Sequence, residues 1–155
     1  MGTRAARLVV TDSNNNRALI WNTFPTTNGQ AADLVLGQSN MTNNSANAGG
    51  AASAQTLRAP KWAWISGTRL YIADYANNRV LIWTTFPTTN QQAADLVIGQ
   101  PDMTTTTSGR TASIFSAPWA LTEDGTNLYI SDNSNARVLA FNPTPTTNGA
   151  SASYV

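Results

Sequence analysis

One short unit appears three times in this chain, and it has no side meant for water. Residues 70–83 read LYIADYANNRVLIW, 7–21 read RLVVTDSNNNRALIW, and 127–141 read NLYISDNSNARVLAF. In the middle copy, Leu70-Tyr71-Ile72-Ala73 and Val80-Leu81-Ile82-Trp83 are short apolar runs that do not alternate with polar residues. Such runs suit strands covered on both faces. Between them, Asp74-Tyr75-Ala76-Asn77-Asn78 carries turn chemistry, because Asp and Asn bond their own backbone and tolerate positive φ. The unit therefore predicts a β-hairpin that needs a neighbour against each face. A lone hairpin is marginal in water; stacked copies supply the missing cover.

The repeat extends beyond the hairpin. Asp12, Asp74 and Asp132 stand 62 and 58 residues apart, and so do Arg17, Arg79 and Arg137, and Pro25, Pro87 and Pro145. Residues 23–38, TFPTTNGQAADLVLGQ, return at 85–100 as TFPTTNQQAADLVIGQ and fade in the third copy to TPTTNGASASYV. Each full unit predicts four strands. The first lies near 61–65 and 119–122, after Ala59-Pro60 and Ala117-Pro118, since Pro suits a strand start that needs no ladder donor. The hairpin supplies the second and third. A fourth lies at 33–36 and 95–98 and closes on Gly-Gln.

The expected organisation is a single repeat domain over 1–155. It comprises a partial blade at 1–38, a long loop at 39–57, a full blade at 58–100, a second long loop at 101–116, and a blade at 117–155 that ends within its fourth strand. That makes eleven strands in about two and a half periods. Long loops are usually functional or disordered, and two at equivalent positions should share one face.

Composition narrows the function classes. Charged residues are 11%, the net charge is +1, and Lys61 is the one lysine. Nucleic-acid binders carry basic patches, so no nucleic-acid partner is expected. With no His and no Cys, disulfides and His or Cys metal sites are ruled out. No apolar run approaches a membrane span, and MGTRAARLVV has no leader-like apolar core. The Thr-, Asn- and Ser-rich, charge-poor text points to an extracellular or cell-surface setting.

Leu-Tyr-Ile-Ala-Asp, a short polar turn, Asn-Asn-Arg-Val and an aromatic end resemble the NHL repeat over nearly the whole chain, the two long loops apart. The resemblance implies an all-β fold, a β-propeller segment of four-stranded antiparallel blades in an incomplete ring. It departs from the family in its longer period and its count of about three blades. It also implies that Asp12, Arg17, Asp74, Arg79, Asp132 and Arg137 are framework residues. The repetition agrees, because a structural role recurs in every copy whereas catalytic residues sit in one.

Candidate binding residues lie elsewhere. Trp62, Trp64 and Trp119 fall on or beside first strands. Alternation puts Trp62 and Trp64 on one face, which favours packing. Trp119 aligns with Lys61 and is expected to be the exposed one. Asp102, Arg110, Glu123 and Asp124 break the repeat, where a repeat protein places specificity. No nucleophile–base–orienter set can be assembled without His or Cys, so no catalytic residue, metal or cofactor is assigned. The function expected is a non-catalytic scaffold. It would work by self-association into a ring or filament, by joining further blades of a longer chain, or by protein–protein interaction. The alternative is a glycan- or peptide-binding module using Lys61, Trp119, Asp102 and Arg110, with a propeller hydrolase or lyase behind both.

Overall fold

The computed structural model describes residues 6–155, so the leader reading on MGTRAARLVV lies in part outside the described residues. Three antiparallel sheets follow the three copies. Sheet I holds β1 (Leu8–Asp12), β2 (Arg17–Trp21) and β3 (Leu34–Leu36). Sheet II holds β4 (Trp62–Ser66), β5 (Arg69–Asp74), β6 (Arg79–Trp83) and β7 (Leu96–Ile98). Sheet III holds β8 (Pro118–Glu123), β9 (Leu128–Asp132) and β10 (Arg137–Phe141). In each sheet the hairpin register places the Asp opposite the Arg: Asp12 faces Arg17, Asp74 faces Arg79, and Asp132 faces Arg137.

Among the described residues ten strands form where the repeat predicts eleven. The missing one is reduced to a single bridge between Ala140 and Tyr154, the pair equivalent to Ile82 and Leu96 in sheet II. Two causes are visible. The third copy reads Ser151-Ala152-Ser153 where the second has Ala93-Ala94-Asp95 before Leu-Val-Ile. The fourth strands of sheets I and II are also held from outside. Asn90 Oδ1 accepts from the Val35 N–H at 3.0 Å, and Asn148 Oδ1 from the Val97 N–H at 3.0 Å.

Sheet II is covered on both sides. Leu70, Ile72, Leu81 and Trp83 pack with Ala18, Ile20 and Leu36 of sheet I. Tyr71, Ala73, Val80 and Ile82 pack with Leu121, Leu128, Ile130, Leu139 and Phe141 of sheet III. All eight hairpin side chains are 0–2% exposed, as unalternated strands require. Burying an aliphatic side chain stabilises by about 1.5–3 kcal/mol, so these two layers hold the stack together.

Each hairpin turns through a single 3-10 turn that ends on a residue with positive φ: Asn16 at 54°, Asn78 at 55° and Ala136 at 50°. Asn adopts this region readily, whereas Ala carries a steric cost of about 1–2 kcal/mol. Ala136 is exposed, so relieving that cost disturbs no packing. Ala136→Gly is therefore expected to raise the thermal midpoint, with a gain near 1 kcal/mol. An unchanged or lowered midpoint would contradict the conformation of this turn.

Candidate functional site

The recurring Asp–Arg pairs sit at the hairpin turns, and the long loops close over them. Asp74 Oδ2 accepts from Arg79 Nε at 2.7 Å and from the Asn77 amide at 2.8 Å. Its Oδ1 accepts from the Arg58 N–H at 2.7 Å. The rest of the Arg79 fork reaches into the loops: Nη2 donates to the Ser53 and Thr56 carbonyls, both at 2.9 Å, and Nη1 to the Met103 carbonyl. Both side chains are fully buried. Burial pushes the Asp74 carboxyl above its ordinary range, and the Arg79 charge and the N–H donors pull against that shift.

The other two pairs repeat the arrangement nearer to solvent. Arg17 Nε meets Asp12 at 2.8 Å with Nη1 on the Met41 carbonyl. Arg137 Nε meets Asp132 at 2.7 Å, and its fork reaches the Thr111 and Ile114 carbonyls at 2.6 and 3.3 Å. Asp74 and Asp132 are each filled by a guanidinium, an amide and a backbone N–H, and Asp12 by a guanidinium and the Asn15 amide, which leaves little capacity for a cation. Among the described residues no group of three acidic, His or Cys side chains could hold a metal ion.

The long loops are consequently ordered. Gln38 donates to the Asn16 and Ser45 carbonyls at 3.0 and 2.8 Å, and Gln100 to the Asn78 and Thr107 carbonyls at 2.9 and 2.8 Å. Asn16 and Asn78 donate to the Asn44 and Thr106 carbonyls, both at 2.9 Å, and accept from the Ala59 and Ala117 N–H groups. Near its end each loop sends one apolar side chain into the stack, Leu57 or Phe115, both buried. The Gly-Gln pair that closes each fourth strand was visible in the sequence. Its part as a loop anchor was not, because the amide's partners lie in stretches with no periodic pattern.

Four sequence candidates are each engaged by neighbours outside the set. Asp102 turns back on its own loop and accepts from the N–H and hydroxyl groups of Thr104 and Thr105. Those bonds, the Thr104 hydroxyl foremost, hold its carboxyl down to about 2. Asn40 does the same work in the first loop, accepting from the Thr42 N–H and hydroxyl and the Asn43 N–H, so Asp102 does not break the repeat. Arg110 is exposed, and its carbonyl accepts from Arg137 at 3.5 Å. Glu123 is buried, accepts from the Thr144 hydroxyl at 3.1 Å and lies 3.6 Å from Arg69. Asp124 accepts from the Asn127 N–H and amide and from the Thr126 N–H, and these bonds, the Asn127 N–H foremost, hold its carboxyl down to about 2.

Two candidates do meet. Lys61 Nζ lies 5.3 Å from the centroids of both the Tyr75 and Trp119 rings, and the rings meet edge to face at 5.6 Å. The ammonium also donates to the Ser13 hydroxyl at 3.0 Å. All three repeats contribute, with Ser13 from the turn after β1, Lys61 just before β4, Tyr75 from the turn after β5, and Trp119 from β8. Trp119 is 46% exposed. A register irregularity between Pro118 and Leu121 in β8 accompanies the outward Trp119. Tyr75 carried no signal in the sequence because its counterparts are Ser13 and Asn133.

Trp62 departs from the packing expected of it. Trp64 packs in the second apolar layer, but Trp62 is 42% exposed. Trp62 is the first residue of β4 and lines a hollow with Leu121, Tyr129 and Val138 of sheet III.

No family model matches the chain, and no curated protein matches it. The site must therefore be read from its own chemistry. No helix is long and apolar enough to cross a membrane, among the described residues.

Proposed function

We propose that the chain is a segment of a β-propeller-like repeat array, of the NHL kind, that works as a non-catalytic scaffold by associating through its end sheets. One observation carries this reading. Apolar positions buried inside the stack recur, exposed, on its two ends. Ile72 is 0% exposed while its counterpart Val10 is 41% exposed, and Val80 is 0% exposed while Val138 is 58% exposed. Apolar patches of this kind mark association surfaces. The absence of His and Cys from the sequence and the structural use of every repeated Asp support a role without catalysis. Its charge-poor surface fits an extracellular setting and leaves little for a nucleic acid to hold. Light scattering across the micromolar range is expected to give a mass above that of one chain; a single-chain mass throughout would overturn the reading.

The cluster at Lys61, Tyr75 and Trp119 favours a second reading, a glycan- or peptide-binding module. An exposed indole beside a cation suits a sugar face or a peptide carboxylate. Trp119→Ala and Lys61→Ala are each expected to cut binding on a glycan or peptide array by tenfold or more without changing the melting curve. Binding that survives both substitutions would place the ligand elsewhere.

A further inference from the structure

The two interfaces inside the molecule are built alike, and the positions that build them recur, exposed, at its two ends. At the boundary of sheets I and II, the turn between β6 and β7 docks on the open edge of β3. Asn90 Oδ1 takes the Val35 N–H, and the Gln91 N–H donates to the Val35 carbonyl at 2.8 Å. At the boundary of sheets II and III, the turn after β10 docks on β7 in the same way. Asn148 Oδ1 takes the Val97 N–H, and the Gly149 N–H donates to the Val97 carbonyl at 3.0 Å. The equivalent turn of sheet I, Asn28-Gly29, is exposed. The equivalent edge position of sheet III is Val155, which follows the Ala140–Tyr154 bridge and is 71% exposed.

The side chains tell the same story. Phe86 is buried at the I–II boundary under the Arg7 guanidinium, 4.1 Å from its ring, while its counterpart Phe24 on sheet I is 60% exposed. Tyr71 is 0% exposed at the II–III boundary, while its counterpart Tyr129 on sheet III is 37% exposed. Val10 and Phe24 thus mark the side of sheet I that would receive a preceding sheet. Tyr129, Val138 and Tyr154 mark the side of sheet III that would receive a following one. An open hollow of about 300 Å³ lies on that second side, lined by Trp62, Leu121, Tyr129 and Val138 among others.

We infer that a second copy of this chain docks head to tail, sheet I of one copy on sheet III of the other. This rests on the association reading above and names its partner and its contacts. Asn28 Oδ1 of one copy accepts from the Val155 N–H of the other, the Gly29 N–H donates to the Val155 carbonyl, and Val10 and Phe24 cover Tyr129 and Val138. The contact is heterologous, so it closes into a ring or continues as a filament. The two patches differ, and an unlike pair of patches has a consequence that a symmetric contact lacks.

The test uses the full chain with Val10→Asp and Val138→Asp, both at exposed positions, read by light scattering and by thermal melting. Each variant alone is expected to melt as the parent chain does and to run at the mass of one chain. An equimolar mixture is expected to recover association but to stop at two chains, because each variant retains the patch the other has lost. Parent chains that associate while either variant leaves the mass unchanged would overturn the head-to-tail pairing and leave the association reading standing. A mixture that stays at one chain would also overturn the pairing. A parent chain that is itself monomeric throughout would overturn both. Asn28→Ala, which removes only the edge cap, is expected to weaken association about tenfold; no change would overturn the assigned edge contact.

Discussion

Arg79→Ala is expected to lower the unfolding free energy by about 3–5 kcal/mol, the range for breaking a buried ion pair from one side. The loss is far larger than a surface pair would cause. Asp74 would stay fully buried with its carboxylate facing no cation, and the Ser53, Thr56 and Met103 carbonyls would lose their donor together. Both long loops would be released, since Ser53 and Thr56 lie in the first and Met103 in the second. Urea unfolding measures the first effect and limited proteolysis of residues 39–57 and 101–116 the second. Asp74→Asn combined with Arg79→Met removes the buried charge and is expected to recover part of the loss. The same change at Arg17 should cost less, because Asp12 and Arg17 are 25% and 16% exposed and water can replace the missing partner. Equal losses at the two sites would show that burial does not set the strength of the pair.

Gly99→Ala is expected to cost on the order of 3 kcal/mol, combining a left-handed backbone cost with overpacking. Gly99 has φ +84°, and a Cβ there would meet the Phe115 ring at 2.1 Å. The ring cannot retreat, because it is 0% exposed and packs edge to face on Phe141 at 6.3 Å. Gly37, at φ +86°, stands in the same relation to Leu57 at 2.8 Å and to the Asn16 carbonyl oxygen at 2.9 Å, and that backbone atom cannot swing away, so Gly37→Ala should carry a cost of the same order. Phe115→Ala alone is expected to cost about 3–5 kcal/mol. Adding Gly99→Ala to it should then cost little more than the backbone strain, since the clash is gone. Additive losses in the double variant, measured by urea unfolding, would contradict the packing of the glycine under the ring.

The interface substitutions Val10→Asp and Val138→Asp belong to another class. They act on a surface and should change the mass of the particle with no change in its melting, whereas Arg79→Ala and Gly99→Ala act inside one chain. Measuring mass and stability on all four separates assembly from folding.

The sequence by itself determined the three hairpins and the middle one's need for cover on both faces. Unalternated runs such as Leu70–Ala73 and Val80–Trp83 have no wet face, so they must be sandwiched. The Asp–Asn turn chemistry then sets Asp74 opposite Arg79. The recurrence of Asp and Arg five residues apart was legible in the same way, and the structure pairs them in each hairpin. Only the tertiary structure decided what the long loops do. Their anchors are single bonds from Gln100, Asn78 and Arg79 to carbonyls of Thr107, Thr106 and Met103, and a backbone carbonyl leaves no mark in the residue type that carries it. It also decided that Lys61 meets Tyr75 and Trp119, since these come from two sheets and only stacking brings them together. Which faces stay open was likewise decided by packing. Val10 and Val138 read in the sequence like Ile72 and Val80, and they differ because burial depends on whether another sheet lies against them.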